Sequence, residues 1–382
     1  MIISQTPLRV SFLGGGTDFP AYYAAPSNPR GGAVTGVAID KSVYVIVKQR
    51  FDDRIYLDYS RKEIVDTVDE LQHGLAREAM RLTGVTNGVE ITTLADVPSE
   101  GSGLGSSSAI TVGLLNALWA YQGESFTAGE LAAQANRIEL GILKRPMGVQ
   151  DAYLAALGGI RHVTFGPRDT DAIRWERVDL PRQDVSRLCA NLMLFYTNKT
   201  RNSSMILAAQ SANIVDRTVV LDALRELAEE GARRIAARDF DAFGALLHEG
   251  WMLKTRLADG ISDVVVDELY ARARDAGALG GKIAGAGGGG FLLLYVPLAA
   301  QDAVRSAIGS FGGSLADTEP AELAGMVMKE AVKRSGVDPK VINYVTVGNC
   351  IPTESRFAYV ARVASIQAGL PMDSVAMAVN RL

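Results

Sequence analysis

Residues 97–110 read VPSEGSGLGSSSAI. Gly101, Gly103 and Gly105 alternate with small residues, Ser106, Ser107 and Ser108 follow in a row, and there is no lysine. A strand-like run, VEITTL (89–94), leads in. AITVGLLNALWAY (109–121), almost wholly apolar, leads out and reads as a buried helix. Glycines let the backbone take positive φ and come close to a ligand. Successive N–H groups ahead of a helix start form an anion cradle, and the helix dipole adds to it. Serine hydroxyls can donate to phosphate oxygens or ligate Mg²⁺. The stretch therefore suits a polyphosphate, with a flexible surface loop as the alternative on these residues alone. A Walker A loop is excluded, because no Gly-Lys-Ser/Thr occurs here. A dinucleotide fingerprint is excluded by the glycine spacing and by the helix that occupies the place of the acidic strand end.

Working outward, residues 2–13 (IISQTPLRVSFL) and 33–49 (AVTGVAIDKSVYVIVKQ) read as strands, as does 54–58. Helices are expected at 70–82, 128–143 and 151–157. ANLMLFYTN (190–198) reads as a strand, Ile214–Leu257 as long amphipathic helices and 263–276 as a further helix. GALGGKIAGAGGGGFLLLYVP (277–297) is a glycine-rich bend running into a strand.

The bulk numbers bound the rest. The chain has 382 residues, 48% hydrophobic and 21% charged, with net charge −4, which suits a globular protein of two or three domains. The slight acidity argues against a general binder of nucleic acid or anionic membrane. No signal peptide and no apolar run of transmembrane length is visible, so a cytoplasmic enzyme is expected. Two cysteines far apart give no disulfide framework; Cys189, ahead of an apolar strand, is expected in the core. His73, His162 and His248 are scattered and receive no role.

Other stretches sharpen the reading. PLRVSFLGGGTDFP (7–20) is a strand ending in three glycines and Thr17-Asp18, NRIELGILKRPMGVQDAY (136–153) carries Glu139 and Asp151, and KIAGAGGGGF (282–291) is a second glycine-rich turn. In this order, over about residues 1–305, the patterns resemble the GHMP small-molecule kinases. Pro98 through Ala109 resembles the family's P-x-x-x-G-L-G-S-S-[SA]-A motif. Within the family, TPLRVSFLGGGTDFPAYY is most similar to the D-glycero-D-manno-heptose 7-phosphate kinases.

The resemblance implies an α+β fold of two domains: a ribosomal-protein-S5-like ATP-binding domain (1–185) and a ferredoxin-like domain (186–305) that lacks its closing strand. It implies ATP and Mg²⁺, and transfer of a phosphoryl group to a sugar phosphate, with heptose 7-phosphate or another sugar as acceptor. Pro98, Gly101, Gly103, Leu104, Gly105 and Ser106–Ser108 would hold the triphosphate. Mg²⁺ would sit on Ser107, with Ser106 or Ser108 as alternatives, and on Glu139. Asp151 would line up the attacking hydroxyl and Arg9 would steady the transferring charge. Asp18, with Gly15, Gly16 and Thr17, would grip sugar hydroxyls, and Gly287 and Gly288 would close the substrate side. Lys282 would meet phosphate. Arg30, Lys199 and Arg201 are candidates for a sugar's own phosphate. A helix cap for Asp151, a turn role for Asp18 and a solvated face for Glu139 are the bland alternatives. Nucleic acid and membrane are not expected partners, and a homodimer stays open.

Residues 306–382 change character. FGGSL, VKRSGVDP, VGN, AGLP and the final VNRL resemble the N-terminal part of thiolases, an α/β segment. In that family the nucleophilic cysteine follows Asn-Arg-Leu, and Cys350 does not match it, so the tail implies no thiolase activity. The whole then resembles a chimera, with an inactive fusion as the competing expectation. Strand 341–347 is expected either to fill the vacant edge of the second kinase domain or to hang loosely and expose Met326, Val327 and Val345.

Overall fold

The structure, a computed structural model, describes residues 1–97, 101–167, 173–197, 199, 203–309, 319–348 and 359–379. They form two compact units, Met1–Val304 and Arg305–Leu382.

The first unit opens with β1 (Ile2–Leu13), α1 (Pro20–Tyr23) and the long β2 (Gly32–Gln49). β3 (Ile55–Asp58), β4 (Lys62–Val65), α2 (Gly74–Thr83) and β5 (Val89–Ala95) follow. Then come α3 (Ser106–Tyr121), α4 (Ala128–Asn136), a π-helical turn (Arg137–Ile142), α5 (Gln150–Leu157), β6 (Ile160–Phe165) and β7 (Ile173–Arg177). The strands make one seven-stranded sheet, ordered β4-β3-β5-β2-β6-β7, with β1 also paired to β2. β2 is long enough to carry β1 from Val47 back to Thr35, while β5 pairs with its second half and β6 with its first. Leu75, Met80, Leu114, Leu118 and Leu131 pack with Val45, Val47 and Ile91 as one buried cluster.

A second cluster joins Leu8, Val10, Phe12 and Leu13 to Phe240, Phe243, Leu247, Leu293 and Tyr295. These come from the segment α6 (Arg182–Ala190), β8 (Leu192–Tyr196), α7 (Ser203–Ala212), α8 (Thr218–Ala236), α9 (Phe240–Lys254), α10 (Val264–Asp275), β9 (Gly280–Ile283) and β10 (Phe291–Tyr295). Among the described residues its sheet has three antiparallel strands, β8-β10-β9. α11 (Gln301–Gly309) carries the chain out of the first unit. The mixed helices and sheets are α+β, as expected.

The second unit holds α12 (Pro320–Ser335), β11 (Tyr344–Gly348), α13 (Val360–Gln367) and β12 (Val375–Val379). β11 pairs in parallel with β12, so strand 341–347 does not fill the edge of the β8-β10-β9 sheet. A parallel partner inside its own unit takes up the hydrogen-bonding groups along one side of β11 instead. Met326 and Val327 are exposed, whereas Val345 is half-buried. Cys350 lies outside the described residues.

Three local readings are corrected. α3 starts at Ser106 rather than Ala109, so the three serines form its first turn. β4, β6, β7 and α6 were not legible; β7 (IRWER) is mostly charged, and among the described residues it is an edge strand paired to β6. Cys189 is exposed, at the end of α6, whose buried face is formed by Asp184 and Leu188. Among the described residues no helix is long and apolar enough to cross a membrane.

Candidate active site

Strand alternation sets the site's first two residues. With Leu8, Val10 and Phe12 in the core, Arg9 and Ser11 project to the opposite side of β1. Arg9 meets α5, which begins at Gln150 and places Asp151 in its first turn. The pairing is bidentate: Nε donates to Oδ1 at 2.7 Å and Nη2 to Oδ2 at 2.5 Å. Nη1 donates to the Gly103 carbonyl at 2.7 Å, which ties the pair to the glycine-serine loop. Arg9 is nearly enclosed, while Asp151 keeps 19% of its side chain open.

The loop approaches from the other side. Gly101, Gly103 and Gly105 all have positive φ. Gly105 is the N-cap of α3 and no side chain caps that helix, so its first-turn amides face the cleft uncapped. A Cβ on Gly103 would lie 2.3 Å from the Ala284 carbonyl, and one on Gly285 would lie 2.6 Å from the Gly103 carbonyl. The first and last glycine runs thus touch backbone to backbone. Between them lies a cleft of about 740 Å³, lined by Gly101–Gly103, Gly105–Ser108, Arg9, Asp151, Arg145 and Ala284–Gly287. That volume is in the range of small-molecule sites.

Glu139 lies wholly buried in the π-helical turn after α4. It accepts hydrogen bonds from Ser107 and, at 2.7 Å, from Ser108. Burial raises its pKa; the hydrogen bonds from Ser107 and Ser108 and the Arg145 charge oppose the rise, and the Asp151 charge adds to it. Arg145 Nη1 reaches Ser107 Oγ at 2.7 Å and Glu139 Oε1 at 3.2 Å. A hydroxyl and a carboxylate side by side are hard oxygen donors, and they fit Mg²⁺, which takes one or two protein oxygens plus phosphate oxygens. Among the described residues no cluster of three His, Cys, Asp or Glu offers a fuller cage.

Asp18 ends the Gly14–Asp18 turn. It accepts from Gly16 N at 2.9 Å and Gln150 N at 3.3 Å, and it is 2% exposed. Gly148 makes room for it, since a Cβ there would fall 1.9 Å from Asp18 Oδ2. Burial, then the Asp151 charge, raises its pKa.

Several sequence-predicted residues belong to the scaffold. Thr17 donates to the Gly14 and Ala33 carbonyls and has no exposure, so it clips the turn to β2. Leu104 is a core residue whose carbonyl accepts from Arg9 N at 3.0 Å. Gly16 is closed off by Gln210, while a Cβ on Gly15 would meet Lys254, Ser11 and Gln150 at ordinary contact distance. Gly287 lines the cleft, whereas Gly288 donates its N–H to Ile261 O at 2.8 Å. Lys282 is buried with Nζ on the Ser11 and Phe12 carbonyls, at 2.9 and 3.2 Å, where it clamps β9 to β1. Arg30 pairs with Glu226, and Lys199 with Asp263. Pro98 and Arg201 lie outside the described residues. Sequence reading missed Arg145, Ser11, Gln150 and Lys254; the last, 6% exposed at the end of α9, donates to Gly285 O at 2.6 Å.

Comparison with known proteins accords with this geometry. Residues 62–159 match the GHMP kinases N terminal domain, 222–314 the GHMP kinases C terminal domain, and 299–382 the thiolase N-terminal domain. The chain is 28% identical over 313 residues to D-glycero-alpha-D-manno-heptose 7-phosphate kinase of Campylobacter jejuni, covering 77% of this chain and 89% of that one. It is 47% identical over 79 residues to beta-ketothiolase BktB of Cupriavidus necator, covering 21% of this chain and 20% of that one. A crystal structure of a D-glycero-D-manno-heptose 1-phosphate kinase from Bacteriodes thetaiotaomicron shares the fold, with TM-score 0.65 and 23% identity over 81% of this chain and 93% of that one. The chain therefore belongs to the GHMP kinases as an ATP-dependent sugar kinase, with a thiolase N-terminal domain following the kinase part.

Proposed function

We propose that the protein transfers the terminal phosphoryl group of ATP to the anomeric hydroxyl of D-glycero-D-manno-heptose 7-phosphate, giving the 1,7-bisphosphate. The observation that carries this reading is the Arg9–Asp151 pair standing at a cleft walled by two glycine runs. The 28% identity to a heptose 7-phosphate kinase supports the choice of acceptor. Residues 1–185 supply the nucleotide loop, and 186–305 supply the second glycine wall.

The amides of Gly101–Ser108 and the start of α3 bind the nucleotide's phosphates. Ser107 and Glu139 would hold Mg²⁺, which when bound neutralises phosphate charge and orients the phosphates. Asp151 accepts a hydrogen bond from the acceptor hydroxyl. As the new O–P bond forms and the bond to the departing diphosphate breaks, the hydroxyl proton passes to Asp151. Arg9 engages both carboxylate oxygens and so fixes Asp151 in place, and the contribution of Asp151 is mainly alignment. Arg9 itself offsets negative charge beside the transfer. Asp18 fixes the turn against which the acceptor rests.

Incubation of the intact chain with Mg-ATP and a panel of sugar phosphates tests this. We expect heptose 7-phosphate to be the preferred acceptor, and Asp151→Asn to lower kcat by about 10³-fold or more with nucleotide affinity and fold unchanged. Preference for another sugar would overturn the acceptor assignment. Wild-type turnover in Asp151→Asn would overturn the role of Asp151.

A further inference from the structure

We propose that Arg145 is a further phosphate-binding residue of the cleft, its guanidinium meeting the nucleotide's outer phosphates; this rests on the reading above that nucleotide binds between the glycine runs. Two arginines line the cleft. Arg9 is nearly enclosed and spent on the protein: Nε and Nη2 go to Asp151, and Nη1 goes to the Gly103 carbonyl. Arg145 is not spent. Only its Nη1 is engaged, on Ser107 Oγ and Glu139 Oε1, and among the described residues Nε and Nη2 have no hydrogen-bond partner. Its side chain is 39% exposed, whereas Glu139 is wholly buried. The unused donors thus belong to an open side chain in the cleft wall, beside the Ser106–Ser108 turn.

The backbone holds this arginine in place and leaves its fork free. Arg145 N donates to Glu139 O at 2.9 Å, and Arg145 O accepts from Met147 N at 3.0 Å. Lys144 turns the chain into this arrangement with φ +53°, and among the described residues it is one of two non-glycine residues at positive φ. Such a conformation persists only where its surroundings fix it. The turn folds Arg145 back onto Glu139 and so onto the start of α3. Main-chain amides and a helix start offer a phosphate partial charges. A guanidinium offers a whole charge and a planar fork of N–H groups that matches phosphate oxygens. With Arg9 committed to Asp151, Arg145 is the cation in the described lining with donors left for that task.

Arg145→Met removes the fork, and Arg145→Lys keeps a charge beside buried Glu139 and so protects the fold. The test is calorimetric titration of the intact chain with AMPPNP, a nonhydrolysable ATP analogue, and with AMP, each in Mg²⁺ and in EDTA. We expect Arg145→Met to weaken AMPPNP about tenfold or more in both media and AMP less than about threefold, with Arg145→Lys between it and the wild type. AMPPNP affinity unchanged in both variants overturns the contact and leaves the nucleotide reading standing. Equal weakening of AMPPNP and AMP overturns it too, because a merely structural role moves every nucleotide alike. Weakening in Mg²⁺ but not in EDTA shows Arg145 acting through Ser107 and Glu139, and overturns the direct contact. A wild type that binds no AMPPNP overturns the nucleotide reading and this inference together.

Discussion

Lys254 shows what single residues contribute and what sequence hides. Burial lowers its pKa from 10.5 to about 8, with Asp18 and Asp151 opposing and Arg9 adding to the shift; Lys282 also faces it. Between about pH 8 and 10.5 the unfolded chain holds a proton that the folded chain has released. Stability therefore rises with pH across that window, and the penalty of a buried ammonium is fully present below it. Urea unfolding at pH 7 and pH 10 should show the wild type gaining on Lys254→Met at the higher pH; a pH-independent difference would contradict this. Periodicity puts this lysine on the buried stripe of α9 with Leu247 and Trp251, but nothing local shows what it meets there. The same holds for Arg145, which meets Ser107 only through the fold, and for Ser11 and Gln150, which the fold brings to the same glycine. Asp151, Glu139 and Ser107 were singled out through the family resemblance, and the fold brings Asp151 and Ser107 to one cleft, with Glu139 hydrogen-bonded to Ser107. The role of Asp18 was half legible: its place in a turn was, but not the two backbone N–H groups its carboxylate accepts.

Among the elements, α3 and the two glycine runs carry the site. Apolar residues on every side of α3 predicted a buried helix, and it packs between the sheet and α2, α4 and α5. Its start was misplaced by three residues because serines read as loop when nothing in sequence shows that Gly105 caps them from a left-handed conformation. The contact between the glycine runs was invisible: it joins Gly103 to Gly285, 182 positions away, without a side chain on either. Gly103→Ala adds a Cβ at φ +73°, 2.3 Å from a carbonyl. We predict a loss of about 2–4 kcal/mol in stability together with nucleotide affinity at least tenfold weaker. Chemical unfolding and nucleotide titration check this, and an unperturbed variant would show that the two runs need not touch.

Over the whole molecule, changes of texture near residues 185 and 305 led to the expectation of three domains; the structure falls into two compact units, Met1–Val304 and Arg305–Leu382. What sequence could not supply was the pairing of β11 with β12, since a lone five-residue strand does not name its partner. The functional residues of the proposal all belong to the first unit. Hydrogen exchange of the intact chain with and without Mg-AMPPNP, read by mass spectrometry, tests most directly the claim that nucleotide lies between the two glycine runs. We predict slowed exchange at residues 101–109 and 284–289 and no change across 320–335. Unchanged exchange at both runs, or protection confined to residues 305–382, would contradict the account.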